Sequence, residues 1–440
     1  PMNFINRQEE LQRLEAIRQR SRTQSCMTVV TGRRRIGKTR LIRESLRGQQ
    51  YLYFFISRKE ESLLCEEFTK QITEVLDIPV FGIISQFKDV FAMLMEEGKR
   101  QPINVVIDEF QEFQRINPAV FSEMQHIWDT HKEEAAINLI LSGSVFSIMT
   151  KLFSDNKEPL FGRVTERLHI GPFPIRELKE VLSEHHPKYT AEDLLTFYMV
   201  TGGVPKYVEL LIDQQIWTHQ AIIEEIFRPN SLFLEEGKLM LIEEFGKEYT
   251  TYFSILSLLA SSKTSRGQIE SIIQKNIGGY LSRLEKDYRI VRRVQPVLAK
   301  PGSKKIKYEI EDNFLHFWFR FIYKNRGAVE IENFIYLKKL FQRDYPTYSG
   351  YVLEKYFRAV LAQSGEWAEV GSYWERGFKN EIDIVAINPL DRKVLFAEVK
   401  RNPKQYSEDR LRLKAQTLSR KFRGYTQNFQ GFFLSDLCES

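Results

Sequence analysis

Eight consecutive residues, Gly32-Arg-Arg-Arg-Ile-Gly37-Lys38-Thr39, match the pattern G-x-x-x-x-G-K-[ST] in full. Glycines at this spacing let backbone N–H groups close around phosphate oxygens, and a following helix adds positive potential. We expect Lys38 to reach the β- and γ-phosphates of ATP and Thr39 to ligate Mg²⁺. The predicted phosphate-binding loop comprises Gly32, Arg33, Arg34, Arg35, Ile36, Gly37, Lys38, Thr39 and Arg40. The arginines inside it could hold the triphosphate, or face a neighbouring subunit, a nucleic acid or solvent.

Polar residues after two later apolar segments could complete a nucleotide site. Asp108 and Glu109 follow the apolar run 105–107. In proteins with such a loop, the first acid holds Mg²⁺ through water and the second polarises the attacking water. Ser142, after another apolar run, could contact the γ-phosphate or the water, or simply form a turn. Arg163 could act as an arginine finger, in the same chain or across a subunit boundary, or remain a surface arginine.

A second group of carboxylates and a lysine lies near the C-terminus. Asp383 falls in one predicted strand of a hairpin, and Glu398 and Lys400 fall in the next. Residues two apart on a strand face the same side, so Glu398 and Lys400 can share one site. Asp383 and Glu398 could hold Mg²⁺, Lys400 could act on the water or the transition state, and Glu354 on a preceding helix would complete the metal shell. Lys414, on the next helix, could contact phosphate or face solvent.

The net charge of +6 is unevenly distributed along the 440 residues. Residues 260–310 carry twelve Lys or Arg and four Asp or Glu, whereas the rest of the chain sums to −2. Three short helices followed by two strands are predicted there, which indicates a winged helix-turn-helix. Such a basic block is typical of a DNA contact, although a packing module with solvated lysines would look alike. The predicted DNA contacts are Arg289, Arg292, Arg293, Lys304, Lys305 and Lys307.

The elements that must position these residues follow an alternating pattern in the first third of the chain. Apolar strands are predicted at 27–31, 51–56, 103–107 and 137–141, with helices at 7–22, 41–46, 60–77, 84–98 and 118–133. Strands alternating with helices predict an α/β fold with a parallel sheet covered on both faces. Residues 174–230 read as helical, with a break at Gly202-Gly-Val-Pro205, and a helix is predicted at 331–345. A new α/β segment is expected from about Gly350 to the end.

Several separated segments resemble the archaeal and bacterial ATPase family of the AAA-like, STAND-related group. They are Phe4-Ile-Asn-Arg7 with Glu9-Glu10-Leu11, the phosphate-binding loop, Leu160-Phe-Gly-Arg163, Gly202-Gly-Val-Pro205, Phe233-Leu-Glu-Glu-Gly237 and Asp312-Asn-Phe-Leu-His-Phe-Trp-Phe-Arg320. The resemblance implies a P-loop NTPase core at 1–170, a helical lid at 171–248, a winged helix-turn-helix at 249–325, a helical linker at 326–345 and a restriction-endonuclease-like domain at 346–440. In the last, Ile382 stands where the family pattern often has proline.

Three functional hypotheses remain open at this point. The chain could be an ATP-dependent DNA-processing enzyme, acting in defence or repair, whose nucleotide state controls a metal-dependent nuclease. It could instead be a signalling switch whose C-terminal domain binds DNA or a partner without cleaving it, or an oligomeric motor assembled through the ATPase domain. Three widely spaced cysteines argue against a disulfide framework, and no apolar leader or membrane segment is evident. We therefore expect a cytoplasmic protein without a membrane partner.

Overall fold

The computed structural model describes residues 7–375, 377 and 379–438. The predicted family segment at Phe4-Ile-Asn6 lies outside these residues. The described residues divide into two compact units, the first ending at Pro172 and the second beginning at Phe173. Each unit is described by itself below.

The first unit is an α/β sandwich around a parallel sheet of five strands in the order β2-β3-β4-β1-β5. Its helices and strands are α1 (Gln8–Arg20), β1 (Cys26–Thr31), α2 (Lys38–Ser45), β2 (Leu52–Phe55), α3 (Glu61–Leu76), α4 (Phe87–Gly98), β3 (Ile103–Asp108), α5 (Phe113–Ile116), α6 (Val120–His131), β4 (Ile137–Gly143), α7 (Phe146–Ser154) and β5 (Glu166–His169). The four predicted strands and the parallel arrangement are confirmed, whereas β5 was not predicted.

The apolar composition of the strands explains their place in the sheet centre. All seven residues of β4 are buried, as are five of the six in β1. Strands covered on both faces are apolar without alternation, and helices must then pack on each side. The register pairs Thr31 with Gly143 and Ile107 with Leu141, so the carboxyl ends of β1, β3 and β4 lie along one edge. That edge carries the phosphate-binding loop, the acidic pair and the serines.

The second unit begins with helices and ends with a small sheet. Its elements are α8 (Ile175–His185), α9 (Ala191–Thr201), α10 (Pro205–Asp213), α11 (His219–Ile226), α12 (Phe233–Phe245), α13 (Tyr249–Ala260), α14 (Arg266–Ile273), α15 (Gly278–Lys286), β6 (Val291–Val294), β7 (Lys307–Ile310), α16 (Asn313–Phe317), α17 (Arg326–Glu330), α18 (Phe334–Gln363), β8 (Glu369–Tyr373), β9 (Ile382–Asn388), β10 (Lys393–Lys400), α19 (Glu408–Ser419) and β11 (Thr426–Phe433). A π-helical turn, Trp318–Ile322, follows α16.

The predicted break inside the helical segment is present. Helix α9 ends at Gly202 in the left-handed region (φ 56°), and α10 starts with Pro205 in its first turn. Glycine adopts that conformation without strain, and proline suits a first helical turn because its missing N–H has no partner there anyway. Farther along, α13, α14 and α15 precede the antiparallel pair β6–β7. This is the element order behind the winged-helix prediction, which stays a prediction.

The C-terminal sheet has the order β11-β10-β9-β8, with β9 and β10 antiparallel and β10 and β11 parallel. The predicted hairpin is therefore confirmed. Helix α18 runs for 30 residues through Pro346, across the position where a linker was predicted to end and a new domain to begin. Across the described residues, the helices are too short or too polar to span a lipid bilayer.

Candidate functional site

The phosphate-binding loop joins β1 to α2 with the backbone that its sequence predicts. Gly32 and Gly37 have φ of 155° and 88°, in the region that glycine favours. A Cβ atom at Gly32 would lie 2.6 Å from the carbonyl oxygen of Ile170, so the chain passes too closely there for any side chain. Helix α2 starts directly at Lys38. The loop thus presents the start of a helix to an anion, as the motif requires.

The side chain of Lys38 lies within the loop rather than in solvent. Its Nζ donates to the carbonyl oxygens of Gly32, at 2.8 Å, and Arg33, at 3.1 Å. Ile36 is buried, and the remaining loop arginines differ in exposure: Arg33 is partly buried, whereas Arg34, Arg35 and Arg40 are exposed. These carbonyl contacts hold the Lys38 ammonium beside the backbone of the loop that would surround a phosphate.

Asp108, at the end of β3, contacts the phosphate-binding loop and so connects the acidic pair to it. Its Oδ2 accepts hydrogen bonds from the Thr39 hydroxyl, at 2.9 Å, and from the Tyr53 hydroxyl, at 2.6 Å. Burial, together with the hydrogen bond to Asp108, raises the pKa of Tyr53 above its ordinary value. The Thr39 hydroxyl and the Asp108 carboxylate are hard oxygen ligands of the kind that Mg²⁺ prefers. These two residues therefore fit the predicted magnesium site, and Tyr53 is a partner that sequence reasoning missed.

Two side chains hold the carboxylate of Glu109 in place. Its Oε2 accepts hydrogen bonds from the Ser144 hydroxyl, at 2.7 Å, and from the Gln111 amide. Its φ of 55° lies in the left-handed region, which is strained for a glutamate and is common at functional sites. The Ser142 hydroxyl is fully buried with no hydrogen-bond partner among the described residues. The structure thus gives Ser144 the contact to Glu109 and leaves Ser142 as an unsatisfied donor.

Arg163 is engaged within its own unit. Its Nη2 lies 2.9 Å from Asp129 on α6, and its Nη1 donates to the Phe161 carbonyl at 2.8 Å. Its side chain is about one quarter exposed. To act as an arginine finger, Arg163 would have to leave this ion pair, so that role stays a prediction.

The C-terminal carboxylates and lysines form one cluster across β9, β10 and α19. The Nζ of Lys400 lies 3.3 Å from Asp383 and 3.4 Å from Glu398, and the second oxygen of Glu398 accepts from Lys414. The Val399 amide also donates to Asp383, at 2.9 Å. Burial alone would lower the pKa of Lys400, but the charges of Asp383 and Glu398 raise it above its ordinary value. The predicted grouping is thus present, with Lys414 added to it.

Glu354 lies beside this cluster but does not join it in a metal shell. Burial and the negative charge of Asp383 raise the pKa of Glu354 to about 8. Its nearest cation is Arg358, with 3.9 Å between the charged atoms. In the part of the chain that the structure describes, no three His, Cys, Asp or Glu side chains are placed to share a metal ion. The predicted shell of three carboxylates is therefore not assembled, because lysine lies between Asp383 and Glu398 and arginine faces Glu354.

The predicted DNA contacts separate into two groups. Arg292 is bonded to Glu309, at 2.8 Å, and Lys307 to Glu381, at 2.5 Å, with the Lys307 ammonium 4.4 Å from the centre of the Trp374 ring. These two cations are already paired inside the unit. Arg289, Arg293, Lys304 and Lys305 are exposed, and Arg292 is exposed as well despite its ion pair.

Comparisons with known proteins match two parts of the chain and one relative over most of its length. Residues 4–211 match a family described as an ATPase domain predominantly from Archaea, and residues 318–411 match one described as archaeal and bacterial proteins of unknown function. The uncharacterized protein MJECL04 of Methanocaldococcus jannaschii is 30% identical over 407 residues, which cover 90% of this chain and 87% of that protein.

Two solved structures share the fold at low sequence identity. The Walker-type ATPase PABY2304 of Pyrococcus abyssi superposes with a TM-score of 0.54 at 17% identity, covering 72% of this chain and 96% of that one. The ORC2 protein of Aeropyrum pernix, solved as ADPNP–ADP complexes, gives a TM-score of 0.50 at 14% identity, covering 75% of this chain and 97% of that one. These two structures show the shared fold, and the family match of residues 4–211 supports a nucleotide-binding ATPase.

Proposed function

Since this chain belongs to the archaeal ATPase family of MJECL04, we propose that its nucleotide state controls a C-terminal nuclease site and a DNA-binding segment next to it. The observation that carries the nuclease part is the position of Lys400, within 3.4 Å of both Asp383 and Glu398 on adjacent strands. Two acids and a lysine in this arrangement are the groups that phosphodiester hydrolysis uses. The proposed partner is DNA, and the ATPase domain could also mediate self-association.

At the phosphate loop, the chain's own residues divide the work on ATP. Lys38 exchanges its carbonyl partners for phosphate oxygens, and the backbone N–H groups of the loop bind the remaining phosphate charge. Thr39 and Asp108 would hold Mg²⁺, which neutralises charge on the phosphates. Glu109 orients the attacking water once it is released from Ser144 and Gln111. Tyr53 keeps Asp108 in place throughout.

At the C-terminal cluster, Asp383 and Glu398 would hold a divalent ion, since their oxygens are suitable ligands and Asp383 already accepts from a backbone amide. Such an ion stabilises charge on the phosphodiester. Lys400 would then move from between the acids to the water or the leaving oxygen. Lys414 orients Glu398 from the opposite side. The arrangement therefore requires Lys400 and Lys414 to move away from the carboxylate oxygens when metal and substrate bind.

A connection within the second unit supports nucleotide control of this cluster. Arg401 directly follows Lys400, and its guanidinium donates to Glu192 in the first turn of α9, at 2.8 Å, and to Ser349 on α18, at 2.7 Å. Helix α9 belongs to the segment predicted to be a lid. A movement of α9 would thus shift Arg401, which is the residue next to Lys400.

The test is a cleavage assay with supercoiled plasmid, linear duplex and single-stranded DNA, in Mg²⁺ or Mn²⁺, with and without ATP. We expect Asp383→Asn to abolish cleavage and Lys38→Ala to remove its dependence on ATP. The matched control is Asp391→Asn, an exposed carboxylate at the turn of the same hairpin. Cleavage that survives Asp383→Asn would show a contaminating nuclease and refute the site.

One observation favours a second candidate, a nucleotide switch that binds DNA without cutting it. The two lysines already neutralise Asp383 and Glu398, which is a stable arrangement without metal. DNA binding that responds to ATP, with no cleavage in any metal tested, would support this alternative over the nuclease.

A further inference from the structure

A cavity of about 300 Å³ adjoins the C-terminal carboxylates. Asp383, Glu354 and residues 307–310 of β7 are among the residues that line it. Its volume is at the lower end of the range for small-ligand sites. It can therefore accommodate a group the size of a single nucleotide, whereas a DNA duplex is too wide to enter.

Arg358 places a buried guanidinium with incomplete hydrogen bonding at this cavity. The residue is only 9% exposed, and its closest carboxylate oxygens, from Glu309 and Glu354, lie 3.8 and 3.9 Å away, beyond hydrogen-bonding distance. Its Nε has no hydrogen-bond partner among the described residues. A buried guanidinium with unmade hydrogen bonds is costly, and its planar fork matches the oxygens of a phosphate. The cavity thus has a donor set suited to a phosphate group.

Two glutamates around the cavity, Glu309 and Glu381, have hydrogen bonds from other cations. Glu309 accepts from Arg292 at 2.8 Å, and Glu381 accepts from Lys307 at 2.5 Å. Arg320 also lines the cavity and lies 3.4 Å from Asp344. An entering anion would therefore meet Arg358 without facing unpaired glutamates on β7 or before β9.

Aromatic side chains line the same cavity. The rings of Tyr348 and Tyr351 each stack on His316, with ring centres 5.3 and 4.8 Å from it, and Tyr308 of β7 also lines the cavity. Stacking on aromatic rings is how proteins hold unpaired bases with little regard to sequence. Next to Asp383, the cavity therefore combines a hydrogen-bond donor for phosphate, aromatic rings and space for one nucleotide.

We propose that this cavity binds the unpaired terminal nucleotide of a DNA strand, with its phosphate on Arg358. The inference rests on the proposed function, because Asp383 links the cavity to cleavage, and it adds a substrate class: strands with free single-stranded ends. A strand end seated here has its next phosphodiester at the carboxylate cluster. A closed circle has no end to insert.

Binding is measured by fluorescence anisotropy on the full chain, in EDTA so that no cleavage occurs. The probes are an internally labelled, 5′-phosphorylated single-stranded oligonucleotide and the same sequence ligated into a circle, with free dAMP as competitor. We expect the linear probe to bind at least about tenfold more tightly than the circle. Arg358→Gln should weaken linear binding by about tenfold to a hundredfold and leave circle binding unchanged, since it removes a charged hydrogen bond.

Two further variants make the test robust. Thr347→Trp places a large side chain at an exposed position of the cavity wall, and should reduce linear binding even if Arg358→Gln does not fold. Arg343→Gln, on the same helix but with a 72% exposed side chain, is the matched control and should bind like the parent. Circular dichroism checks that each variant is folded.

The outcomes separate this inference from the nuclease proposal. Equal affinity for circle and linear probe, unchanged binding in folded Arg358→Gln or Thr347→Trp, or competition by dAMP as strong as that by the oligonucleotide would overturn the inference. Cleavage lost in Asp383→Asn could still stand in that case. Conversely, a preference for free ends in a protein that never cleaves would keep the end-binding site and reject the nuclease.

Discussion

The two lysine–carboxylate sites differ in what their lysines contact. At the phosphate loop, Lys38 donates to backbone carbonyls and Asp108 accepts from two neutral hydroxyls. At the C-terminal cluster, Lys400 and Lys414 contact the acids directly. In the second site the positive and negative groups thus neutralise each other directly.

This difference indicates how each site responds to a ligand. At the phosphate loop, an incoming phosphate or Mg²⁺ would replace hydrogen bonds to neutral carbonyls and hydroxyls. In the C-terminal cluster, a metal ion must displace ammonium groups from oxygens that are mostly buried, which costs part of its binding free energy. Nucleotide control of the second site would need this combination: a first site that binds nucleotide easily and a second site that binds metal only at a cost in free energy.

The largest expected effect tests ATP binding and hydrolysis at the first site. Glu109→Gln should keep ATP binding but lower the kcat of ATP hydrolysis by about two to three orders of magnitude, because the amide cannot orient water as the carboxylate does. Phosphate release and nucleotide binding measure the two properties separately. Glu133→Gln, an exposed glutamate of the same unit, is the control. Normal turnover by Glu109→Gln would remove the role assigned to it.

The second prediction concerns the self-neutralised cluster. Lys414→Met removes one of the two ammonium groups on Glu398, so Mn²⁺ should bind there about tenfold more tightly, since an opposing charge no longer has to be displaced. Electron paramagnetic resonance of free Mn²⁺ measures this in an Asp108→Asn background, which weakens the first site. Lys421→Met is the exposed control. Unchanged or weaker Mn²⁺ binding would show that Lys414 does not compete with metal.

The third prediction is that the stability of the second unit depends on pH through His316. Burial, followed by repulsion from Lys355, lowers the pKa of His316 to about 3. The unfolded chain takes up this proton near pH 6.5, so the stabilisation is complete above pH 6.5 and is lost as the pH falls toward 3. The unfolding equilibrium of the second unit should therefore shift by up to about tenfold per pH unit in that range, as measured by urea unfolding. His316→Gln should flatten this dependence, whereas His126→Gln on the exposed face of α6 should not.

The smallest expected effect concerns a residue that only positions Asp108. Tyr53→Phe removes one of the two hydroxyl hydrogen bonds to Asp108 and should raise the Mg²⁺ concentration needed for half-maximal ATP hydrolysis by about threefold. The kcat at saturating Mg²⁺ should change little. Tyr51→Phe, just before the same strand, is the control. A loss of kcat as large as that of Glu109→Gln would give Tyr53 a direct part in the reaction.

Features set by local patterns were predictable from the sequence. The four apolar strands, the phosphate-binding loop and the hairpin of Asp383 and Glu398 each follow from residue spacing alone. Strand β5, Glu166–His169, was missed because three of its four residues are charged or polar and it pairs only at the sheet edge. A helix was predicted only over 331–345, yet α18 continues through Pro346 to Gln363, with buried residues on both sides of the proline.

Side-chain partners at the sites were not predictable, since they depend on how distant elements pack. Tyr53, Gln111 and Ser144 surround the acidic pair only because β2, β3 and β4 lie side by side. Arg358 and Lys414 have no motif around them. An aromatic strand next to the phosphate loop was the only signal that could have suggested Tyr53.

The ion pair between Glu192 and Arg401 joins residues 209 positions apart in the chain. During synthesis from the N-terminus, the first unit can complete its sheet while the second is still being made. The second unit reaches its native contacts only after β10 has left the ribosome, and contacts over such separations form slowly. The nucleotide-binding unit is therefore in place before the chain can assemble the cluster of Asp383, Glu398 and Lys400, so that order of synthesis itself delays the second site.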